Sequence, residues 1–299
     1  MPLKKDIGSK VFDIFNYTLL ILFSLSILYP FIYIFSISTS DGLSITKGEV
    51  VLFPKGFNLN AYKYIFTPTL GRSYINTIFY SAVATIFTLF FCSLGAYPLA
   101  QSRFKGKAFF TVVFTVTMFF SGGMIPNFFL IQSLGLLDTF WAITLPGAFS
   151  FWNIIILRTN FKSIPDSLTE SAVIDGANDW SILFRIILPL SKAILATITL
   201  WSVVGKWNDY FGPLLYLNSP EKEPLTIFLR RVLVSRYVED YSSFSQSAAR
   251  GSIDYLRQQG LLRAIRMATI LVTIGPIIAV YPFIQKYFVK GILIGSIKG

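Results

Sequence analysis

The chain has 299 residues, of which 54% are hydrophobic and 14% are charged, and its formal net charge is +11. Because soluble domains carry about 25% charged residues, the composition indicates a membrane protein. The basic residues lie mostly between apolar runs, which indicates orientation in a lipid membrane rather than binding of nucleic acid. With no histidine and only Cys92 as a cysteine, the sequence excludes an internal disulfide, a zinc site and a Cys/His nucleophile pair.

Six apolar runs predict transmembrane helices, each of which needs about 20 residues. They cover approximately residues 14–37, 75–100, 108–131, 140–157, 186–217 and 264–288. The first run follows Lys4, Lys5 and Lys10 and is too long for the apolar core of a signal peptide. We therefore expect a retained first helix with a cytoplasmic N-terminus.

The charges between the runs predict the topology. The linker 103–107 holds three basic residues and no acidic one, which is typical of a cytoplasmic loop. Six spans then place both termini in the cytoplasm, and the tail residues Lys286, Lys290 and Lys298 agree with this.

Two long external loops, residues 41–73 and 218–263, follow from that topology. The second begins with NSPEKEP, predicts a short helix near residues 225–235 and continues as a stretch rich in Ser and Arg. Loops of this length are usually functional or disordered. The sequence leaves open whether this loop is a docking surface or a flexible linker.

A polar segment, residues 163–188, separates the fourth and fifth runs on the predicted cytoplasmic side. Ser167 and Glu170 have the spacing of a capping box, which predicts a helix that begins near Ser167. Asp175-Gly176 is a turn signal, and Asn178 or Asp179 suits the N-cap of a second short helix. The pattern predicts two amphipathic helices bent against each other, and it fits a segment that rests on lipid headgroups equally well.

Two faces stand out in this segment. Ala172 and Gly176 lie four residues apart, so their small side chains predict close approach by another surface. The second helix carries an apolar stripe, formed by Trp180, Leu183, Phe184 and Ile187. Pro189 is predicted to end that helix before the next span.

The same segment matches a known motif. Permease subunits of ATP-binding-cassette (ABC) importers carry an "EAA" loop, which runs Glu-Ala-Ala, three intervening residues, Gly, nine intervening residues and then Ile-x-Leu-Pro. The chain has Glu170-Ser171-Ala172, then Gly176, then residues 186–189 as Ile-Ile-Leu-Pro at the same spacing. Ser171 is the one departure. We call residues 163–188 the coupling segment.

The resemblance covers nearly the whole chain. Residues 121–165 resemble the third and fourth spans of carbohydrate-type permeases, residues 201–217 resemble their fifth span, and residues 291–299 resemble their closing signature. Within that group the chain is most similar to the lipoprotein-dependent branch that takes up complex oligosaccharides such as aldouronates.

This resemblance implies an architecture and a set of partners. The fold would be the all-α fold of type I ABC importers, with about six spans and coupling helices between spans 4 and 5. The partners would be a homologous second permease, a dimer of ATPase subunits and an extracellular sugar-binding lipoprotein, in the bacterial cytoplasmic membrane. The chain itself would bind no cofactor and no metal, because ATP and Mg would be used by the ATPase.

The resemblance also assigns roles to the coupling residues. These are Glu170, Ser171, Ala172, Asp175, Gly176 and Ala177. Glu170 would be an ionic anchor to an arginine of the ATPase, Gly176 would allow the bend and close contact, and Asp175 would cap or brace the turn.

A phosphate-binding loop is absent from the sequence. Gly106-Lys107 and Gly205-Lys206 both lack the earlier glycine and the following Ser or Thr of that motif. ATP hydrolysis is therefore expected in a separate subunit. The alternative is an ion-coupled secondary carrier acting alone, which would depend on Asp209, the one acid within the predicted spans. A membrane-embedded enzyme is argued against by the absence of paired carboxylates within the spans and of a G-x-S-x-G motif.

Residues 206–210 form the most polar group within the predicted spans. Lys206 and Asp209 are spaced to pair on one helix face. Either the group lines the translocation path near an external gate, or it is structural and Lys206 reaches the outer interface. The candidate path residues are Lys206, Trp207, Asn208, Asp209 and Tyr210, with Trp207 or Tyr210 placed to stack on a sugar. A structural or gating role is favoured.

Three isolated polar residues, Asn76, Gln101 and Asn127, lie near the ends of predicted spans. Polar side chains in such positions commonly hold helices together. We predict helix–helix or interface contacts for them rather than contacts with a substrate.

Overall fold

A computed structural model describes residues 7–234 and 253–296, and within these ranges the chain is all-α with no strand. The helices are α1 (Ile7–Ser38), α2 (Gly42–Thr46), α3 (Asn60–Ile65), α4 (Pro68–Ala100), α5 (Lys107–Phe119), α6 (Met124–Ser133), α7 (Phe140–Thr144), α8 (Phe151–Lys162), α9 (Asp166–Ile174), α10 (Asp179–Ile182), α11 (Leu188–Leu190), α12 (Lys192–Trp207), α13 (Phe211–Tyr216), α14 (Leu225–Val234) and α15 (Ile253–Ser296). A π-helical turn (Leu183–Ile187) and a 3-10 turn (Pro220–Lys222) accompany them. The predicted all-α fold is confirmed.

Some predicted features lie outside the described residues. They are Lys4, Lys5, Lys298 and the part of the predicted second external loop that covers residues 235–252. The described chain divides into two compact units, Met1–Thr67 with Leu229–Ile274 and Pro68–Phe228 with Gly275–Gly299.

The first unit contains α1, whose surface is apolar on all sides. Its 32 residues extend for about 48 Å at 1.5 Å per residue, which exceeds the roughly 30 Å of a bilayer core. Nearly all of its large apolar side chains are exposed, and only its last turn is buried. A helix with this surface is suited to lipid rather than to water.

A close backbone contact between two glycines links the two chain segments that make up the first unit. A Cβ atom added to Gly260 of α15 would lie 1.8 Å from the carbonyl oxygen of Gly42 in α2, and one added to Gly42 would lie 2.1 Å from the carbonyl oxygen of Arg257. Beside them, Thr46 Oγ1 donates a hydrogen bond of 2.7 Å to the carbonyl of Leu256. Only glycine permits this approach.

The second unit is organised around α4, which packs against α8 and α12. The core between them includes Cys92 of α4, Ile154 and Leu157 of α8, and Ile198 of α12, all with no exposed surface. Thr85 Oγ1 of α4 also donates a hydrogen bond of 3.1 Å to Ser202 of α12. The cysteine is therefore a core residue.

Three helices among the described residues are long and apolar enough to cross a membrane, and the number rises to five if each of two bent pairs is counted as one span. The three are Ile7–Ser38, Pro68–Ala100 and Leu256–Ala279. They correspond to the first, second and last predicted spans, although the last helix begins at Ile253 rather than near residue 264.

The remaining predicted spans are interrupted. Residues 108–131 form α5 and α6, whose axes differ by 111° at a Ser-Gly-Gly break where Gly123 has a φ of 85°. Residues 140–157 form α7 and α8, separated at Pro146-Gly147, and the 12 residues of α8 extend only about 18 Å. The predicted span at 140–157 is therefore not one continuous helix, because a proline and a positive-φ glycine interrupt it.

Asp138 lies in the turn between α6 and α7 and holds the start of the predicted second external loop. Its carboxylate accepts hydrogen bonds from the backbone N–H groups of Asn218 and Ser219, both at 3.0 Å, and from the Ser219 hydroxyl at 2.6 Å. Lys222 Nζ forms an ion pair with it at 2.7 Å. The Lys222 ammonium and then the Ser219 and Asn218 donors hold the pKa of Asp138 well below its usual range.

Helix α4 contacts the same segment, residues 218–224, from the other side. Asn76 Nδ2 donates hydrogen bonds to the carbonyls of Glu221 and Glu223 at 2.8 and 3.1 Å. Tyr80 Oη donates a bond of 2.8 Å to the carbonyl of Lys222. Residues 218–224 are therefore anchored, so the flexible-linker alternative is wrong for the start of this loop. Asn76 makes a structural contact as predicted, but to a loop rather than to a helix.

We predict that Gly260→Ala destabilises the protein by about 1–3 kcal/mol, because the new methyl group overlaps the Gly42 carbonyl. The matched control is Gly275→Ala in the same helix, where an added Cβ has no described atom within 4 Å. Since alanine is the better helix former by about 1 kcal/mol, the control is expected to be neutral or stabilising. Thermal unfolding in detergent measures both; equal melting temperatures would contradict the glycine contact.

A second prediction concerns Asp138→Asn, which removes the ion pair with Lys222. Because the folded-state pKa of Asp138 is depressed, its contribution to stability is present above the ordinary aspartate pKa of about 3.9 and is lost as the pH falls through the folded value. The melting temperature of the variant is expected to lie below wild type at pH 7, and the difference is expected to shrink as the pH falls below about 5. Glu221→Gln, an exposed acid in the same segment, is the control. A difference that is constant with pH would contradict the assignment.

Candidate functional site

The coupling segment folds as two short helices, α9 and α10, as predicted. Helix α9 begins at Asp166 after the extended Pro165, which occupies the N-cap position without a side-chain bond. Ser167 lies inside the helix, where its carbonyl accepts a hydrogen bond of 2.8 Å from Ser171 Oγ. The predicted Ser167–Glu170 capping box is therefore wrong. An acid in the first turn, Asp166, complements the positive end of the helix instead.

Gly176 produces the bend between the two helices. It has a φ of 82°, and its N–H donates to the carbonyl of Val173 at 3.0 Å while the N–H of Ala177 donates to the carbonyl of Ala172 at 2.9 Å. This pair of bonds is a Schellman motif, which glycine adopts at little cost. Asp175 occupies the C-cap position through its backbone.

Asn178 begins the second helix. Its Oδ1 accepts a hydrogen bond of 2.9 Å from the N–H of Ser181, so of the two predicted caps Asn178 is the one used. Asp179 is the first residue of α10. Its carboxylate accepts a hydrogen bond from Tyr97 Oη at 3.0 Å. It also forms an ion pair with Arg103.

One face of the segment packs against the core of the second unit. Ala172 and Ala177 contact that core, and Ile182, Leu183 and Ile187 are buried in it. The small side chain of Ala172 thus allows approach to the chain's own core, whereas Gly176 remains exposed.

The opposite face is exposed and largely apolar. Ile174 is 85% exposed, and the rings of Trp180 and Phe184 stack on each other with centroids 6.0 Å apart. The predicted stripe of α10 is therefore divided, with two members buried and Trp180 and Phe184 exposed. Leu168 and Val173 add to this exposed surface.

Glu170 lies beside this surface. Its side chain is exposed and has no hydrogen-bond or ion-pair partner among the described residues. It lines an open groove of about 500 Å³ together with Asp166, Gln101 and Arg103. An exposed carboxylate next to apolar side chains is a surface suited to a protein partner that supplies a cation.

The chain changes direction sharply after the coupling segment. The axis of Asp179–Leu190 meets that of Lys192–Trp207 at 83°. A π-helical turn at Leu183–Ile187 precedes Pro189, a residue that lacks an N–H and interrupts the helical bonding pattern. The predicted span at residues 186–217 is thus bent at its start.

The second candidate group, residues 206–210, is satisfied within the chain. Lys206 Nζ forms the predicted ion pair with Asp209 at 3.2 Å and donates to the carbonyl of Ile143 at 2.8 Å. Asp209 also accepts the N–H of Gly212 at 3.1 Å. Trp207 is buried, Tyr210 is half-buried and Asn208 is exposed. The contacts link the end of α12 to α7 and α13.

Sequence reasoning missed several site residues. Tyr97 lies in an apolar run, and Arg103 was interpreted only as part of a basic linker. Nothing in the local pattern indicates that either one reaches Asp179, which is more than 70 positions away in the sequence. The turn at Gly176, by contrast, has a local signal in the Asp-Gly pair.

The chain was compared with known proteins. Residues 93–294 match the family model described as "Binding-protein-dependent transport system inner membrane component". Protein LplC of Bacillus subtilis is 42% identical, with 98% of this chain and 96% of that protein covered. The polygalacturonan/rhamnogalacturonan transport system permease protein YtcP of the same organism is 40% identical, with 97% and 99% covered.

A solved structure is also similar. It is a chain of a bacterial ABC transporter involved in the import of the acidic polysaccharide alginate, with a TM-score of 0.84 and 37% identity over 95% of this chain and 99% of that chain. Together with the family match, these similarities establish that the chain belongs to the binding-protein-dependent transport system inner membrane components, the multi-pass permease subunits of ABC importers in the bacterial cytoplasmic membrane, which work with a separate ATPase subunit.

Proposed function

We propose that this permease imports an acidic oligosaccharide. The observation that carries the proposal is the similarity, over nearly the full length, to a chain of a transporter that imports the acidic polysaccharide alginate. The similarity to a permease named for polygalacturonan and rhamnogalacturonan points to the same class of substrate. A uronate-containing oligosaccharide also agrees with the aldouronate-type branch that the sequence resembles.

The importer would contain this chain, a homologous second permease, two ATPase subunits and an extracellular sugar-binding lipoprotein. ATP and Mg would be bound by the ATPase pair, and this chain would bind no cofactor and no metal. The family description, which names dependence on a binding protein, supports the lipoprotein. Residues 1–299 would act as a single transmembrane permease domain that forms half of the translocation path.

We further propose six crossings with both termini in the cytoplasm. Contacts of α4 support the side assigned to each segment. Residues 218–224 bind α4 near Tyr80, and the coupling segment binds it at Tyr97. These two positions are about 26 Å apart along a helix, close to the thickness of the bilayer core. The two segments would then lie on opposite sides of the membrane, with the coupling segment inside.

The exposed face of the coupling segment would be the surface that binds the ATPase. Glu170 provides an exposed carboxylate with no partner among the described residues, and Ile174, Trp180 and Phe184 provide apolar area beside it. Closure of the ATPase pair on ATP would displace this surface and open the path outward, and hydrolysis would return it inward. The hydrogen-bonded turn at Gly176 would hold α9 and α10 together during that displacement.

The alternative of an ion-coupled carrier that acts without an ATPase has less support. It depends on Asp209 as the ion-binding acid, and that carboxylate is already paired with Lys206 and bonded to the N–H of Gly212. A carboxylate held by an internal cation is poorly suited to bind and release an ion in each cycle.

A test of assembly follows from the exposed position of Glu170. In mild-detergent purification from native membranes, tagged wild type is expected to bring down a second permease, an ATPase and a lipoprotein. Glu170→Arg is expected to lose at least 90% of the ATPase and to keep the second permease, because the anchor charge is reversed. Glu221→Arg, a reversal at an exposed acid outside the coupling segment, should keep all partners. Retention of the ATPase by Glu170→Arg would contradict the role of Glu170.

A test of the substrate uses the whole complex in liposomes with the lipoprotein added. ATP-dependent uptake is expected for a uronate oligosaccharide and is expected to be at least tenfold slower for a neutral oligosaccharide of equal length. Liposomes that hold this chain alone should transport neither. Uptake of the neutral sugar at an equal rate would overturn the acidic substrate, and uptake by the chain alone would overturn the dependence on an ATPase.

A further inference from the structure

The last turn of α4 contacts the chain both before and after α9. On one side, Arg158 near the end of α8 donates from Nε to the carbonyl of Leu99 at 3.1 Å. On the other side, Asp179 at the start of α10 accepts hydrogen bonds from Tyr97 and Arg103. Helix α9 and the Gly176 turn lie between these two attachments. A displacement of the coupling segment therefore acts on the end of α4 from both directions.

The Asp179 contact determines the orientation of α10 more than its stability. Both members of the ion pair are exposed, Arg103 by 59% and Asp179 by 58%, and an ion pair at such exposure contributes little to stability. Tyr97, in contrast, is buried in the core, so the position of its hydroxyl is set by the packing of its ring. The apolar contacts of Ile182 and Leu183 hold α10 in place, and the polar contacts of Asp179 align it on α4.

Helix α4 is well placed to relay such a displacement. It is 33 residues long, it is held along its length by α8 and α12, and it carries the coupling segment at one end and residues 218–224 at the other. Helix α12 is the next long helix after the coupling segment. A π-helical turn and a bend of 83° separate it from α10. That bend makes α12 a less direct path than α4.

We infer that α4 relays displacement of the coupling segment to residues 218–224, with Asp179 as the positioning residue that aligns α10 on α4. This inference rests on the proposed function, in which an ATPase moves the coupling segment. Arg103 and Tyr97 are the partners through which Asp179 acts, and none of the three touches the substrate in this scheme.

The first experiment compares transport with ATP hydrolysis in the intact complex in liposomes. Asp179→Asn and Tyr97→Phe are expected to keep the ATPase bound and its rate within about twofold of wild type, while sugar transported per ATP falls about fivefold or more. Lys105→Gln, at an exposed residue outside the coupling segment with no hydrogen bond or ion pair among the described residues, is expected to match wild type. The Arg103→Asp, Asp179→Arg double variant is expected to regain part of the ratio lost in Asp179→Arg.

Two outcomes would overturn the inference. If transport and hydrolysis fell in parallel, with the amount of sugar per ATP unchanged, Asp179 would be merely structural. If the ratio were unchanged and both rates were normal, the contact would have no role in coupling. A wild-type complex without an ATPase, or without ATP-dependent uptake, would instead contradict the proposed function, so the two failures are distinguishable.

A second measurement follows the far end of α4. Cys92 has no exposed surface, so a cysteine introduced by Glu221→Cys is expected to be the main site of labelling by a polar maleimide. Its labelling rate in the complex is expected to change when a non-hydrolysable ATP analogue is added, and Asp179→Asn is expected to reduce that change at least threefold. An ATP-dependent change of equal size in both backgrounds would overturn the relay through α4.

Discussion

Burial of α4 between α8 and α12 is the constraint on which the second unit depends. In lipid, apolar side chains gain little free energy when they exchange contacts with lipid tails for contacts with another helix. Helices therefore associate through close packing and a few polar contacts. The contacts of α4 follow this rule, since Cys92 and Gly95 are small at the crossing with α8 and Thr85 bonds to Ser202 of α12. A helix fixed in this way provides a rigid frame on which flexible segments at either end can be positioned.

The interruptions in the other spans follow from the need to satisfy backbone groups away from water. Irregular backbone at membrane depth is tolerated only where protein or a cavity supplies hydrogen-bond partners. The bend before α12 is supported by the neighbouring chain through the core around Ile187. The turn that contains Asp138 lies between two predicted spans and is held by Ser219 and Lys222. The broken spans are therefore stable parts of this fold, because the neighbouring chain packs against them.

The sequence predicted features whose signal is local. The long apolar helices, the Gly176 turn and the Lys206–Asp209 pair each depend on residues a few positions apart, and all three were found. The break at Pro146-Gly147 has a local signal in its proline, but apolar composition does not give the direction of the backbone after it. The start of α9 was predicted to within one residue, but its cap was not, since Pro165 and not Ser167 occupies the N-cap position.

Contacts between distant parts of the chain could not be predicted, since a single sequence gives no information on which surfaces meet. Tyr97 and Arg103 with Asp179 are one example, and Asp138 with Lys222 is another. The roles of Glu170 and its neighbours came from the family motif rather than from periodicity. The exposed face found at Ile174 and Trp180 is the surface that such a motif would require.

The glycine contact in the first unit has a consequence for biosynthesis. Gly42 leaves the ribosome early, whereas Gly260 is made more than 200 residues later, and the contact between them closes a loop of that length. Until then this contact is missing, and the apolar surface of α1 allows that helix to remain in the bilayer. Completion of the first unit is thus expected to wait for the synthesis of α15, at a time when residues 68–228 of the second unit have already been made.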